Sequence, residues 1–299
     1  MSDKKLLVTG ASGKLGQEVV RSLLGELSVQ PTQLIVTTRD ANKLAEFAKL
    51  GVEVREADFS DIASLEAAFK GAESLLLISI DASGPRTQAH LNAVKAAEAS
   101  GVNHIVYTSM PAAEQSPIVF AHEHEATEKA IESSNIPNAT ILRNNWYFDN
   151  LTEYFASILQ TGHWLTSAAE GKTAQISRKD LAFAAANALV KPAKGSITLS
   201  MNGSGSFTNT EMAKRIDQAV GTSITMVNLS DDEYRQQLES FELPTPIVDL
   251  CVTMDAHNRA GLSDGNSNDF ETLTGRKPMT FETWLLENQA SLKALATPQ

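Results

Sequence analysis

Glycines Gly10, Gly13 and Gly16 recur three apart in Gly10-Ala11-Ser12-Gly13-Lys14-Leu15-Gly16, directly after the run Leu6-Leu7-Val8-Thr9. Between a buried strand and a helix, such a spacing does chemistry with the backbone. The first glycine permits a tight turn, the second has no Cβ to hold a pyrophosphate away from the N–H groups, and the third lets helix and strand pack closely. A helix beginning near Lys14 turns its positive end toward the same anion. The stretch therefore reads as a dinucleotide-phosphate cradle, with a strand before it and an amphipathic helix after it. It is not a nucleoside-triphosphate loop, because Leu15 follows Lys14 and the glycine spacing is too short.

In a sheet wound on both sides, the other chemical candidates stand where strands stop. A carboxylate that would bind the ribose hydroxyls of NAD belongs at the end of the second strand; the chain has Thr38-Arg39 there, with Asp40 one step later. Arginine favours the 2′-phosphate of NADP, and Lys14 adds a second positive charge; the competing reading makes Arg39 a solvated cation and Asp40 a helix cap. Asp58 is placed to accept from the adenine amino group with Phe59 against the ring face, or else to cap the next helix. Further strand ends supply Ile78-Ser79, Thr108-Ser109-Met110 and Asn144-Asn145-Trp146-Tyr147. Trp146 and Tyr147 either shape an acceptor pocket or pack between two lobes. His122 and His124 lie two apart, and on a helix such positions face different ways, so no metal site is expected. One of these histidines is expected to reach toward the cofactor. Cys251 sits in an apolar run, and no G-x-S-x-G elbow occurs, so hydrolytic triads find no support.

The elements that must position these groups alternate. Strands at 33–38, 52–57, 74–79, 104–109 and 140–143 follow the first, and helices run between them at 14–24, 40–50, 61–69, 85–100 and 119–134. The run Ser74-Leu75-Leu76-Leu77-Ile78-Ser79 is apolar without alternation, as a central parallel strand covered on both faces must be. Six βα alternations predict an α/β fold, a doubly wound parallel sheet of Rossmann type with strand order 3-2-1-4-5-6 and a seventh strand at 196–200. Beyond Asn145 the pattern becomes mostly helical, with helices around 149–160, 179–190, 209–220, 231 onward, 247–260 and 282–295 and a strand at 224–229. Residues 1–148 are thus expected to form the nucleotide-binding domain, with 172–203 returning to it. Residues 149–171 and 204–299 form a smaller substrate-side lobe.

With 299 residues, 42% of them hydrophobic, the chain can bury a full core. A formal net charge of −11, with no long basic cluster, argues against nucleic acid and anionic membranes as partners. One cysteine forms no internal disulfide, and no signal peptide or long apolar run is present, so a cytoplasmic protein is expected. A small molecule is the expected partner; a homodimer is compatible with the sequence and not specified by it.

Together, the cradle, Thr38-Arg39, Leu76-Leu77-Ile78-Ser79, Tyr107-Thr108-Ser109, Glu123-His124-Glu125-Ala126-Thr127-Glu128-Lys129 and Leu142-Arg143-Asn144-Asn145-Trp146-Tyr147 resemble the NmrA-like atypical short-chain dehydrogenase/reductases. Within that group the likeness is to bacterial type 2 NAD(P)H:quinone oxidoreductases and triphenylmethane reductases, over nearly the whole chain. The resemblance implies an enzyme that uses NADP(H) in preference to NAD(H) to reduce a quinone or similar conjugated acceptor; other NmrA-like members imply a cofactor-binding sensor instead. It also implies cofactor contacts at Gly10 to Leu15, Arg39, Ser79, Ile80, Asp81, Lys172 and the stretch Asn144, Asn145, Trp146, Tyr147, Phe148, Asp149. The chain departs from the related dehydrogenases at their Tyr-x-x-x-Lys motif, where it has Phe120 and His124, while Ser109 stands at the family's serine. Without an ionisable phenol, reversible alcohol oxidation is not expected. His124, Ser109 and Asn144 remain as the catalytic candidates, with His124 polarising a carbonyl oxygen or assisting its proton.

Overall fold

The computed structural model describes residues 5–80 and 86–296. Its first half alternates β1 (Lys5–Val8), α1 (Lys14–Leu24), β2 (Leu34–Thr38), α2 (Ala45–Lys49), β3 (Glu53–Glu56), α3 (Ile62–Phe69), β4 (Ala72–Leu77), α4 (Arg86–Ala99), β5 (His104–Ser109), α5 (Ala121–Glu132) and β6 (Asn138–Asn144). The second half runs α6 (Leu151–Thr161), β7 (His163–Thr166), β8 (Lys172–Thr173), α7 (Arg178–Val190), β9 (Ser196–Met201), β10 (Phe207–Thr208), α8 (Asn209–Val220), β11 (Thr225–Asn228), α9 (Asp231–Ser240), α10 (Thr245–Arg259), α11 (Asp269–Thr274) and α12 (Phe281–Ala296). Seven parallel strands form one sheet in the order β3-β2-β1-β4-β5-β6-β9, which includes the expected seventh strand.

Each central strand sends alternate residues into two different cores, which explains why its sequence is apolar throughout. Val8, Val36, Leu76, Val106 and Leu142 face one layer with α1 and α7. Leu7, Ile35, Leu75, Leu77, Ile105, Tyr107 and Ile141 face the other, with α3 and α4. Helix α7 is rich in alanine, and its small side chains let α1 pack directly against it, with Val19, Val20 and Leu23 buried between.

A further core forms among segments of the second half. Phe148, Leu151 and Phe155 pack against Met212 and Ile216 of α8 and Phe281, Trp284 and Leu285 of α12. Two features lie outside the sequence expectation. Strands β7 and β11 pair in parallel as a separate ribbon, and the short helix α11 packs on α7 and β9, placing Phe270 in the core beneath the sheet. The strand expected at 224–229 is β11, whereas its partner β7 and the helix α11 are too short for periodicity to reveal. Among the described residues no helix is long and apolar enough to cross a membrane.

His104 begins β5 inside this frame, almost wholly buried, with Nε2 3.0 Å from the Thr140 hydroxyl. Burial lowers its pKa from 6.5 to about 4, so the unfolded chain binds more protons and folding is weakened as pH falls from about 6.5 toward 4. The parent should therefore lose up to ~1.4 kcal/mol of stability per pH unit through this residue. Urea unfolding at pH 7 and pH 5 should show a shallower pH slope in His104→Gln, by up to that amount.

Candidate active site

Strand order reverses between β1 and β4, which opens a crevice at the carboxyl ends of the strands. Buried Thr9 joins the two ends: its hydroxyl donates to the Leu76 carbonyl and accepts from the Ile78 N–H, both at 3.0 Å. Gly10 then turns with a positive φ of 59°, and a Cβ there would already touch Ile78. The Ala11 N–H donates to the Thr37 carbonyl at 3.1 Å, and Thr38 donates to the Ser12 hydroxyl at 3.0 Å, so β2 braces the turn. Gly13 caps α1 with no side-chain acceptor of its own, and no acidic residue occupies the first turn. The N–H groups and dipole of α1 are thereby offered to an anion. A Cβ on Gly16 would stand 2.4 Å from the Gly10 oxygen and 2.7 Å from the Ala11 Cα. This cradle fits a pyrophosphate, and Lys14 and Leu15 begin the helix behind it.

At the end of β2, Arg39 is exposed beside exposed Asp58. Hydrogen bonds from the Ser60 N–H and hydroxyl, and beyond them the charge of Arg39, hold the Asp58 carboxyl below its usual range. The cap of α3 is Asp61, so Asp58 is free of that duty. Phe59 is half-buried, its ring edge-on to His90 at 6.5 Å between centroids.

The end of β4 is held by side chains from β5 and α4. The Ser79 N–H donates to the Thr108 hydroxyl at 2.8 Å, and the Ile80 N–H donates to Nε2 of His90 at 3.1 Å. Asp81 lies outside the described residues. His124, one turn into α5, is buried among Phe120, Tyr107 and His90, with Nδ1 2.9 Å from the Tyr107 hydroxyl. Burial, followed by the charges of Arg86 and His90, lowers its pKa to about 3, so its ring is neutral at physiological pH. Ser109 is spent elsewhere. Its hydroxyl donates to Glu128, whose carboxylate also takes two hydrogen bonds from Arg143. That places Ser109 in a strut between β5, α5 and β6.

After β6, Asn144 is buried with an Oδ1 that has no partner among the described residues. Its neighbours are committed to structure. Asn145 Nδ2 donates to Asn202 Oδ1 at 3.0 Å and to the Ser263 carbonyl at 2.9 Å, and its Oδ1 accepts from the Trp146 N–H. Trp146 donates its indole N–H to the Ser263 hydroxyl and meets His257 edge-to-face at 6.3 Å. Arg178 lies over the Tyr147 ring, Phe148 stacks on Phe281 at 4.9 Å in the lobe core, and Asp149 accepts from the Arg178 N–H at 2.7 Å. Lys172 is brought to a different concavity, lined also by Ser204, Ser206, Asn266 and Lys277 and containing no cradle residue.

Sequence reasoning missed the groups that α10 delivers. Leu250 and Met254, one turn apart, join Phe120 and Trp146 around Met110, Ala113 and Ile118 in an apolar cluster between sheet and lobe. It also missed His90 and Tyr107, although a phenol in a strand buried on both faces signals a polar partner.

A phosphate cradle at the switch point of a doubly wound sheet, beside an aromatic and aliphatic wall, defines a dinucleotide-dependent redox protein of the short-chain dehydrogenase type. The chain belongs to the NmrA-like family, whose model matches residues 2–285. It is 34% identical to quinone oxidoreductase 2 of Escherichia coli over 276 residues, 92% of this chain and 95% of the relative. The solved structure of the NADPH-dependent quinone oxidoreductase of E. coli with NADPH superposes with a TM-score of 0.88, covering 96% of this chain and 99% of that one at 34% identity. The Citrobacter triphenylmethane reductase complexed with NADP(H) gives 0.86 at 30% identity, over 95% of this chain and 99% of that one.

Two substitutions test the geometry. Gly16→Ala should lower stability by ~1–3 kcal/mol through overpacking and weaken NADPH binding, read by denaturant unfolding and by fluorescence titration. Asn145→Ala strands the Trp146 N–H, the Asn202 amide and the Ser263 carbonyl, and should cost ~2–4 kcal/mol in unfolding free energy.

Proposed function

We propose that this protein is an NADPH-dependent reductase that delivers hydride to a quinone or a similarly conjugated acceptor. The observation that carries this reading is the neutral, buried imidazole of His124, with Phe120 one turn before it, where an alcohol dehydrogenase needs an ionisable phenol and lysine. A quinone accepts a hydride without such machinery, because the resulting oxyanion is stabilised by its own ring and takes its proton from water. The chain then mainly has to bind and orient two planar partners.

In this reading the cradle from Gly10 to Gly16 and the N-terminus of α1 hold the pyrophosphate, and Arg39 takes the 2′-phosphate. Asp58 and Phe59 border the adenine, and Ile78, Ser79 and Ile80 line the path between the two halves of the cofactor. The unpartnered Oδ1 of Asn144 suits the amide N–H of a nicotinamide carboxamide, and Trp146 and Tyr147 border that ring. When bound, reduced nicotinamide supplies the hydride. Phe120, Trp146, Leu250 and Met254 exclude water from the acceptor face, and His124 polarises the acceptor oxygen. Residues 1–148 and 172–203 thus hold the cofactor and lend Phe120, His124 and Trp146 to the acceptor, whose site 149–171 and 204–299 complete. Asn145, Phe148 and Asp149 act through the framework that carries their neighbours. NADP(H)-bound relatives with this architecture support the cofactor assignment, and the triphenylmethane reductase keeps dye-like acceptors in the panel.

The test is NADPH oxidation followed at 340 nm with a quinone panel, alongside cofactor affinity; binding with no turnover on any acceptor overturns the enzyme reading. Arg39→Ala should raise the Kd for NADPH roughly 10–100-fold, the loss of a charged hydrogen bond, and leave that for NADH within about twofold. Equal losses for both cofactors would remove Arg39 from the 2′-phosphate.

A further inference from the structure

Tyr107 lies wholly inside the sheet layer, and its hydroxyl stands 2.9 Å from Nδ1 of His124. Alternate residues of a strand share a face, so Tyr107 and Ser109 both meet α5, while Thr108 turns to Ser79. The surrounding hydrogen bonds fix most of the proton positions. Because the Ile80 N–H donates to Nε2 of His90, His90 carries its proton on Nδ1, 3.3 Å from the Thr127 hydroxyl. Thr127 donates its own proton to the Glu123 carbonyl at 2.7 Å. Its oxygen therefore meets the Tyr107 phenol only as an acceptor, and an aliphatic hydroxyl is a far weaker acceptor than an imidazole nitrogen. The most acidic neutral O–H of the cluster thus faces an imidazole nitrogen that no other donor among the described residues has taken.

We propose that Tyr107 is a positioning residue that donates its phenol hydrogen to Nδ1 of His124, so that His124 presents a protonated Nε2 to the acceptor and holds its developing oxyanion by a hydrogen bond. The proposal rests on the reductase reading above. The acceptor takes up a hydride from reduced nicotinamide, an electron pair gathers on its oxygen, and Nε2–H stabilises that charge without giving up its proton. Water supplies the proton that completes the hydroquinone, so atoms and electrons balance with NADPH as the only reductant. Burial and the nearby Arg86 charge keep the ring neutral, which suits a donor that is never an acid.

The test is a long-range proton–nitrogen spectrum of the full chain labelled with 15N-histidine, with His124 assigned by its loss in His124→Gln. The expected result is a proton on Nε2 in the parent and a mixture of tautomers in Tyr107→Phe. Its kcat with a quinone should fall about tenfold, less than the roughly 10²–10³ that outright loss of an oxyanion donor costs because part of the population keeps Nε2–H, with the KM for NADPH unchanged. A parent proton on Nδ1, an unchanged tautomer in Tyr107→Phe, or a changed tautomer with unchanged kcat each overturns the proposal. Should Tyr107→Phe not fold, fluorotyrosine labelling makes the phenol a stronger donor and should move the Nδ1 resonance of His124; an unmoved resonance overturns the assignment. Absence of all quinone turnover in the parent would overturn the reductase reading and with it the oxyanion role, while the spectrum still decides the tautomer.

Discussion

Backbone touches backbone where α1 leaves the sheet: the Gly10 carbonyl lies where a side chain at position 16 would have to go, 2.4 Å from its Cβ. Everything at the crevice depends on that close approach. It brings the helix N-terminus down onto the end of β1, where Thr9 ties the same turn to β4. It also sets α1 deep enough to pack along the alanine face of α7, so the phosphate cradle is backed by a buried helix pair and not by solvent. The backbone N–H groups of the turn and the end of α1 are thereby offered to an anion without any side chain in the way.

On the opposite face of the sheet, the same economy appears in buried polar groups. Tyr107, His90, His124 and Thr127 sit together between β5, α4 and α5, each with its hydrogen bonds directed at another member or at backbone. Burial lowers the pKa of His90 to about 4 and that of His124 to about 3, so the cluster carries no imidazolium at neutral pH. A network of neutral donors and acceptors in a dry environment is rigid, and each hydrogen bond in it is stronger than in water. The strut Ser109–Glu128–Arg143 next to it holds a paired charge and fixes α5 to β5 and β6.

One joint between the end of β6 and the later segments centres on an amide. Asn145 bonds Asn202 after β9 and the Ser263 carbonyl after α10, and the Trp146 indole adds the Ser263 hydroxyl. His257 on α10 completes the joint, with its Nδ1 2.7 Å from the Ser116 hydroxyl in the loop before α5. The face of α10 that carries Leu250 and Met254 is thus positioned over Phe120 and Trp146 by polar contacts away from the apolar surface itself.

Local sequence determined the cradle, the alternation of strands and helices, and the strand ends, because glycine spacing and unbroken apolar runs are signals carried within a few residues. Arg39, Ile78, Ser79 and Asn144 could be placed at strand ends for the same reason: in a parallel sheet the end of every strand reaches the same edge. Which side chains at those ends are available to a ligand was decided by tertiary contacts alone. Ser109 and Asn145 carry suitable chemistry in the sequence, yet Glu128, 19 residues from Ser109, and Ser263, 118 residues from Asn145, take up their hydrogen bonds. Lys172, on the strand β8 that pairs with β10, lines a concavity with Ser204, Ser206 and Lys277. Leu250 and Met254 carry no signal of a site in their own segment, and Tyr107 entered the sequence reading only as part of the family likeness. Only the packing of α10 against the β5–α5 loop, and of α5 against β5, gave them neighbours, because contacts between distant segments leave no periodic trace in either one.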